Sequence, residues 1–183
     1  MPKTAVLLSI KPKYCELIAD GKKTIEVRKT RPRLTPPFKC YIYKTRDKTD
    51  RPIMLDFHGR RQVIGEFVCD EIFPMSITYS DPNHHLSQRE FPSTCLTDKE
   101  IMNYLGNGKT GYGWHISDLK IYDESKELGR FWKAGKCPYA AENECAYEYY
   151  CFRAGQANRC GETLSWPPQS WCYVEEVKQN ASI

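Results

Sequence analysis

The chain opens on a short apolar run, Ala5-Val-Leu-Leu-Ser-Ile10, that predicts a strand. The period then changes. Tyr14, Cys15, Leu17 and Ile18 recur at helical spacing behind Pro12, a residue suited to a first helical turn, so a helix is expected over 12–20. Asp20-Gly21 ends it, because glycine accepts the left-handed conformation common just past a helix C-terminus. From Thr24 the period drops to two: Ile25 and Val27 share one face of a strand over 24–31, while Thr24, Glu26 and Arg28 share the other. Further strands are expected at 38–45, 62–73, 111–122 and 170–177. A helix is expected at 97–105, where Thr97 and Glu100 have the spacing of a capping box, and a short helix near 125–132. Residues 45–61 and 79–92 read as connectors, rich in charge, proline and histidine. This is a mixed α and β pattern without internal repeats.

At 183 residues the chain is expected to form one domain over 1–183. A net charge of +4 is too mild for an obligate duplex binder, but Lys11, Lys13, Lys22, Lys23, Arg28, Lys29, Arg31 and Arg33 crowd the first part of the chain and would draw an anion there. No apolar stretch approaches the ~20 residues that span a bilayer, and 5–10 is too short for a signal-peptide core, so a cytoplasmic protein with no membrane partner is expected. In a reducing compartment nine cysteines point to metal binding or burial before disulfides.

The polar face of the 24–31 strand is the candidate site. Arg28 can hold a phosphate or carboxylate through two donors, Glu26 can orient a base or move a proton, and Lys23 can swing toward Glu26 from the turn although strict alternation sends it to the other face. Cross-strand pairing on a wet sheet face is the structural alternative for Glu26 and Arg28. Trp114, and Gln169, Ser170 and Trp171, combine flat rings with hydrogen-bonding groups, as recognition of nucleobases requires. Burial in the core is the alternative for both tryptophans.

Gly21, Lys23, Glu26 and Arg28 match G-x-K-x-x-E-x-R, the motif of the ASCH family, and the chain resembles that family. Val63-Ile-Gly-Glu-Phe-Val-Cys-Asp70, Gly111-Tyr-Gly-Trp-His-Ile-Ser-Asp118 and Pro167-Pro-Gln-Ser-Trp-Cys-Tyr-Val174 are similar to segments of small bacterial and phage members. The resemblance implies an α+β fold built on a PUA-like β-barrel of about six strands with flanking helices. It also implies binding of single-stranded RNA or a nucleotide in a cleft lined by the motif, with Arg28, Thr24, Trp114, Ser170 and Trp171 touching the ligand. The alternative it implies is a hydrolase of RNA or of a modified nucleoside, with Lys23 and Glu26 as catalytic proton-transfer groups. One branch removes the acetyl group of N4-acetylcytidine with lysine, threonine and glutamate. This chain departs from it: Glu26 stands where that motif has threonine, and Thr24 is offset by two residues.

Between 133 and 163 lies a cysteine-rich insertion with too few aliphatic residues to build a core. Cys137, Cys145, Cys151 and Cys160 could together satisfy the tetrahedral preference of a structural zinc, the alternative being reduced, partly buried thiols. No organic cofactor is expected. Tyr139, Tyr147, Tyr149, Tyr150 and Phe152 give the insertion an aromatic surface for the pocket or for a protein partner. Cys15, Cys40, Cys69 and Cys172 are expected in the core.

Overall fold

Residues 3–46, 62–76, 91–134, 140–141, 144–145 and 163–177 are described by the structure, a computed structural model. In chain order the elements are β1 (Thr4–Ile10), α1 (Pro12–Ala19), β2 (Ile25–Arg28), β3 (Phe38–Lys44), β4 (Gln62–Cys69), β5 (Ile72–Met75), α2 (Phe91–Thr94), α3 (Asp98–Leu105), β6 (Gly111–His115), β7 (Ser117–Glu127), β8 (Ala140–Ala141), β9 (Glu144–Cys145) and β10 (Trp171–Glu175). A single 3₁₀ turn, Leu128–Arg130, follows β7.

β1 is apolar from Ala5 to Leu8 and at Ile10 because it lies inside a sheet covered on both faces, and its one buried polar side chain, Ser9, donates to the Pro168 carbonyl. The sheet runs β10-β1-β3-β4-β7, with β1 and β3 parallel and the other neighbours antiparallel. Val6, Leu8 and Ile10 face one core with Cys15, Ile18, Phe38, Phe67 and Trp114. Ala5 and Leu7 face a second with Tyr41, Val63, Leu128, Phe131 and Val174. A three-stranded antiparallel sheet, β2-β6-β5, and an antiparallel β8-β9 pair accompany the five-stranded sheet, with single bridges joining Trp132 to Thr163 and Lys133 to Val174.

The expected closed barrel is therefore corrected to open sheets among the described residues. The reason lies in two strands that the period of two reads as continuous. The 62–73 segment breaks at Asp70-Glu71 and the 111–122 segment at Ile116, so each gives one half to the five-stranded sheet and the other to the three-stranded sheet. Asp118, at φ 46, lies just past the second break. The helix expected near 125–132 is corrected as well. β7 continues to Glu127 because Lys126 and Glu127 pair with Val63 and Gln62, leaving only Leu128–Arg130 to turn before Phe131 enters the second core.

The devices near β2 form as their residues dictate. Gly21 takes φ +70 after α1, and the amides of Lys22 and Lys23 both donate to the Leu17 carbonyl, which aims the chain into β2. Thr97 caps α3 in a full capping box with Glu100. Ile101 and Leu105 of α3 pack on Ile25, Val27 and Met75, each buried aliphatic contributing about 1.5–3 kcal/mol. Among the described residues no helix is long and apolar enough to cross a membrane.

Candidate functional site

With Ile25 and Val27 committed to α3, the alternation of β2 turns Glu26 and Arg28 toward the space between the two sheets. Both are buried, as is Lys23, which is only 2% exposed. Lys23 does swing in from the turn. Its Nζ donates to the carbonyls of Ile25 and Thr94 at 2.7 Å and pairs with Glu26 Oε2 at 3.3 Å. Arg28 Nη2 lies 3.1 Å from Glu26 Oε1 and donates to the Ser9 carbonyl at 2.9 Å, while Nη1 donates to the carbonyl (3.2 Å) and hydroxyl (3.3 Å) of Ser170. Glu26 is thus a buried carboxylate clamped between two buried cations. Within this triplet Nε of Arg28 is buried without a hydrogen-bond partner.

This triplet forms part of the wall of a cavity of about 570 Å³. Ser9 and Lys11 from the β1–α1 junction, Tyr14 of α1, Glu100, Asn103 and Tyr104 of α3, and Gln169 and Ser170 ahead of β10 supply much of the rest. The ammonium of Lys23 sits 5.3 Å from the centre of the Tyr14 ring. Burial, followed by the negative charges of Glu100 and Glu26, pushes the Tyr14 hydroxyl above its ordinary pKa, so it is a donor at neutral pH.

Of the residues expected at the site, Lys23, Glu26, Arg28 and Ser170 come together on this wall, whereas Thr24, Trp114 and Trp171 do not line it. Trp114 is fully buried: it belongs to the central strand of the smaller sheet, packs edge-on against Phe38 at 6.0 Å and lies tilted against Trp171 at 5.9 Å, so it has no face to offer a base. Trp171 is half-buried between Trp114 and Tyr173, its indole N–H donating to Thr30 Oγ1 at 3.1 Å. The aromatic walls of the cavity are instead Tyr14 and Tyr104. Tyr14 reads from the sequence as core-facing because it falls on the helical stripe with Cys15 and Ile18, and Tyr104 lies past the apolar stripe of α3. Neither position signals a cavity until α1, α3 and β2 are assembled.

Cys137, Cys151 and Cys160 lie outside the described residues, and of Cys145 only the backbone of β9 is described. The aromatic residues of the insertion, Tyr139 to Phe152, lie outside them too. Among the described residues no group of three or more His, Cys, Asp or Glu could hold a metal ion. Cys15, Cys40 and Cys69 are core thiols and Cys172 is half-buried against the second core.

The profile of the ASCH domain family matches residues 8–151. Among solved structures, the chain is similar to the ASCH protein from Zymomonas mobilis, with 18% identity, a TM-score of 0.56, and 94% of this chain and 88% of that one covered. A serine-to-alanine variant of that protein gives 18% identity and a TM-score of 0.57 over 96% of this chain and 92% of that one. Its tyrosine-to-phenylalanine variant gives 19% identity and a TM-score of 0.50 over 68% and 76%. At these identities the likeness is one of fold. No curated protein matches the chain.

Proposed function

The chain belongs to the ASCH domain family, whose PUA-like fold is generally linked to RNA binding, and on that premise we propose that its cavity binds one nucleotide of a single-stranded RNA, or a free nucleotide. The observation that carries this reading is the clamped Lys23–Glu26–Arg28 triplet on the wall of a cavity whose volume falls within the ~300–1,000 Å³ usual for small-molecule sites. A buried ion triplet costs desolvation that a hydrophobic replacement would avoid, so its position beside an open cavity favours a binding role over a purely structural one. Arg28, on the cavity wall, sets a fixed guanidinium charge beside an anionic ligand. Tyr14 and Tyr104 offer rings on which a base can stack for about 1–3 kcal/mol. Exposed Lys11 at the wall supplies positive charge for a phosphate.

Binding is favoured over hydrolysis by the state of the polar groups. Lys23 is buried, held by two backbone carbonyls and paired with Glu26, so it acts as a fixed support for that carboxylate, and Thr24 lies off the cavity wall. The test is calorimetric titration of the four nucleoside 5′-monophosphates into wild-type protein and Arg28→Lys, with chromatography of a hexaribonucleotide and of N4-acetylcytidine incubated with both. Saturable binding that weakens at least about 10-fold in Arg28→Lys, with no product, is the expected result. Product formed by wild type would replace this reading with the hydrolytic one. Absence of binding by wild type would refute it.

A further inference from the structure

Beyond β2 the chain continues as a segment whose side chains at 29, 30, 31 and 33 are all exposed. The segment is nevertheless tied down. Thr30 Oγ1 accepts the indole N–H of Trp171 at 3.1 Å, the amide of Arg33 donates to the Tyr173 hydroxyl at 2.7 Å, and Pro32 is buried. Its cations rest on aromatic rings: Lys29 Nζ is 5.3 Å from the centre of Tyr104, and the Arg31 guanidinium is 5.7 Å from the centre of Tyr112. Tyr104 is itself cavity wall, and Tyr112 stands opposite Arg28 in the β2–β6 register, on the face of the small sheet that bears the ion triplet. Among the described residues Lys29, Arg31 and Arg33 have no carboxylate partner, while Lys13, Lys22 and Lys44 of the neighbouring surface are paired with Glu100, Asp20 and Glu16. Three uncompensated cations on a pinned segment, two of them seated on tyrosines, begin where the cavity wall ends.

We propose that residues 29–33 form a track for the backbone of a single-stranded RNA whose leading nucleotide occupies the cavity, with Lys29 and Arg31 on successive phosphates. The inference rests on the cavity taking a nucleotide. The pinned backbone lowers the ordering cost of meeting phosphates, and the tyrosines beneath the cations hold them without neutralising them. A single strand is the partner because its sugar–phosphate backbone can leave the cavity while its bases stay free to stack on Tyr104, whereas a duplex hides its base faces.

The experiment compares a ribonucleoside 5′-monophosphate with a hexaribonucleotide, each titrated into wild type and into Lys29→Gln/Arg31→Gln at several salt concentrations. Both substitutions are at exposed positions outside the cavity wall, and circular dichroism checks the fold. Expected is a wild-type preference of 10-fold or more for the hexamer, lost in the double variant. The salt slope for the hexamer should flatten by about 1.4, at ~0.7 per phosphate contact of a single strand. Monophosphate binding should be unchanged. Equal hexamer affinity and slope in the two proteins, or equal binding of monomer and hexamer by wild type, would overturn the track while leaving the cavity reading intact. Loss of all binding in wild type would remove both.

Discussion

Replacing Glu26 by glutamine keeps the shape of the side chain and removes the charge on which the site is built. In the wild type one carboxylate oxygen faces Lys23 at 3.3 Å and the other faces Arg28 at 3.1 Å. A glutamine amide has one acceptor, so whichever cation meets the NH₂ group is left with donor against donor in a region where Lys23 is 2% and Arg28 5% exposed. Breaking a buried pair typically costs about 3–5 kcal/mol because a charge is stranded away from water. Here the cost falls short of that range, since Lys23 keeps the carbonyls of Ile25 and Thr94 and Arg28 keeps those of Ser9 and Ser170. Glu26→Gln should therefore lose about 2–3 kcal/mol, lowering the urea midpoint by about 1 M with an unchanged m-value. A double-mutant cycle with Lys23→Met should return a coupling of at least ~1 kcal/mol, because removing both charges strands less than removing the carboxylate alone. A loss below about 0.5 kcal/mol in Glu26→Gln, or a coupling near zero, would show that the triplet does not hold itself together as described.

Three further outcomes follow from other parts of the molecule. Gly113→Ala would set a methyl 2.5 Å from the Phe73 ring and 2.8 Å from Met75 Sδ, so it should destabilise by about 1–3 kcal/mol in urea unfolding, while Gly129→Ala, which meets nothing within 4 Å, should stay within about 0.5 kcal/mol. Burial pushes the thiols of Cys15 and Cys69 up to about 12 and that of Cys172 to about 11, so peptide mapping after brief iodoacetamide treatment at pH 8 should find them unlabelled in the native protein and labelled in urea; labelling of native Cys15 would contradict its burial. For Glu66, burial acts to raise the pKa, but the Tyr122 hydroxyl at 2.5 Å and the ammonium groups of Lys39 and Lys126 outweigh it and hold the carboxyl below its ordinary value. Its folded pKa being depressed, the stability it contributes is present at neutral pH and lost as pH falls through the folded value, and Tyr122→Phe should cost about 1–3 kcal/mol at pH 7 but less near pH 3, read from urea midpoints at both. An equal cost at the two pH values would count against the pairing.

Chemistry local to the sequence accounts for the elements around the site. Pro12, Gly21 and the Thr97–Glu100 box mark the helix ends, and the alternation from Thr24 to Arg28 separates the apolar residues of β2 from the polar ones, because period and capping depend only on neighbours in the chain. Lys23, Glu26 and Arg28 could be named because the stretch from Gly21 to Arg28 also resembles the ASCH motif, and the turn left an inward swing open to Lys23, which the fold takes up. Only the assembled chain decided the rest. Whether a run of alternating residues is one strand or two depends on which sheet each half can pair with, and the breaks at Asp70-Glu71 and Ile116 turn the expected barrel into separate sheets. Tryptophan at 114 reads equally as anchor or stacking surface until β6 becomes a central strand over a filled core, and Tyr14 and Tyr104 become cavity walls only when α1 and α3 are brought to β2. A side chain's period says which face it shares. What stands opposite that face is a property of contacts distant in sequence, such as Arg28 with Ser170 and Lys23 with Thr94, and these exist only in the folded molecule.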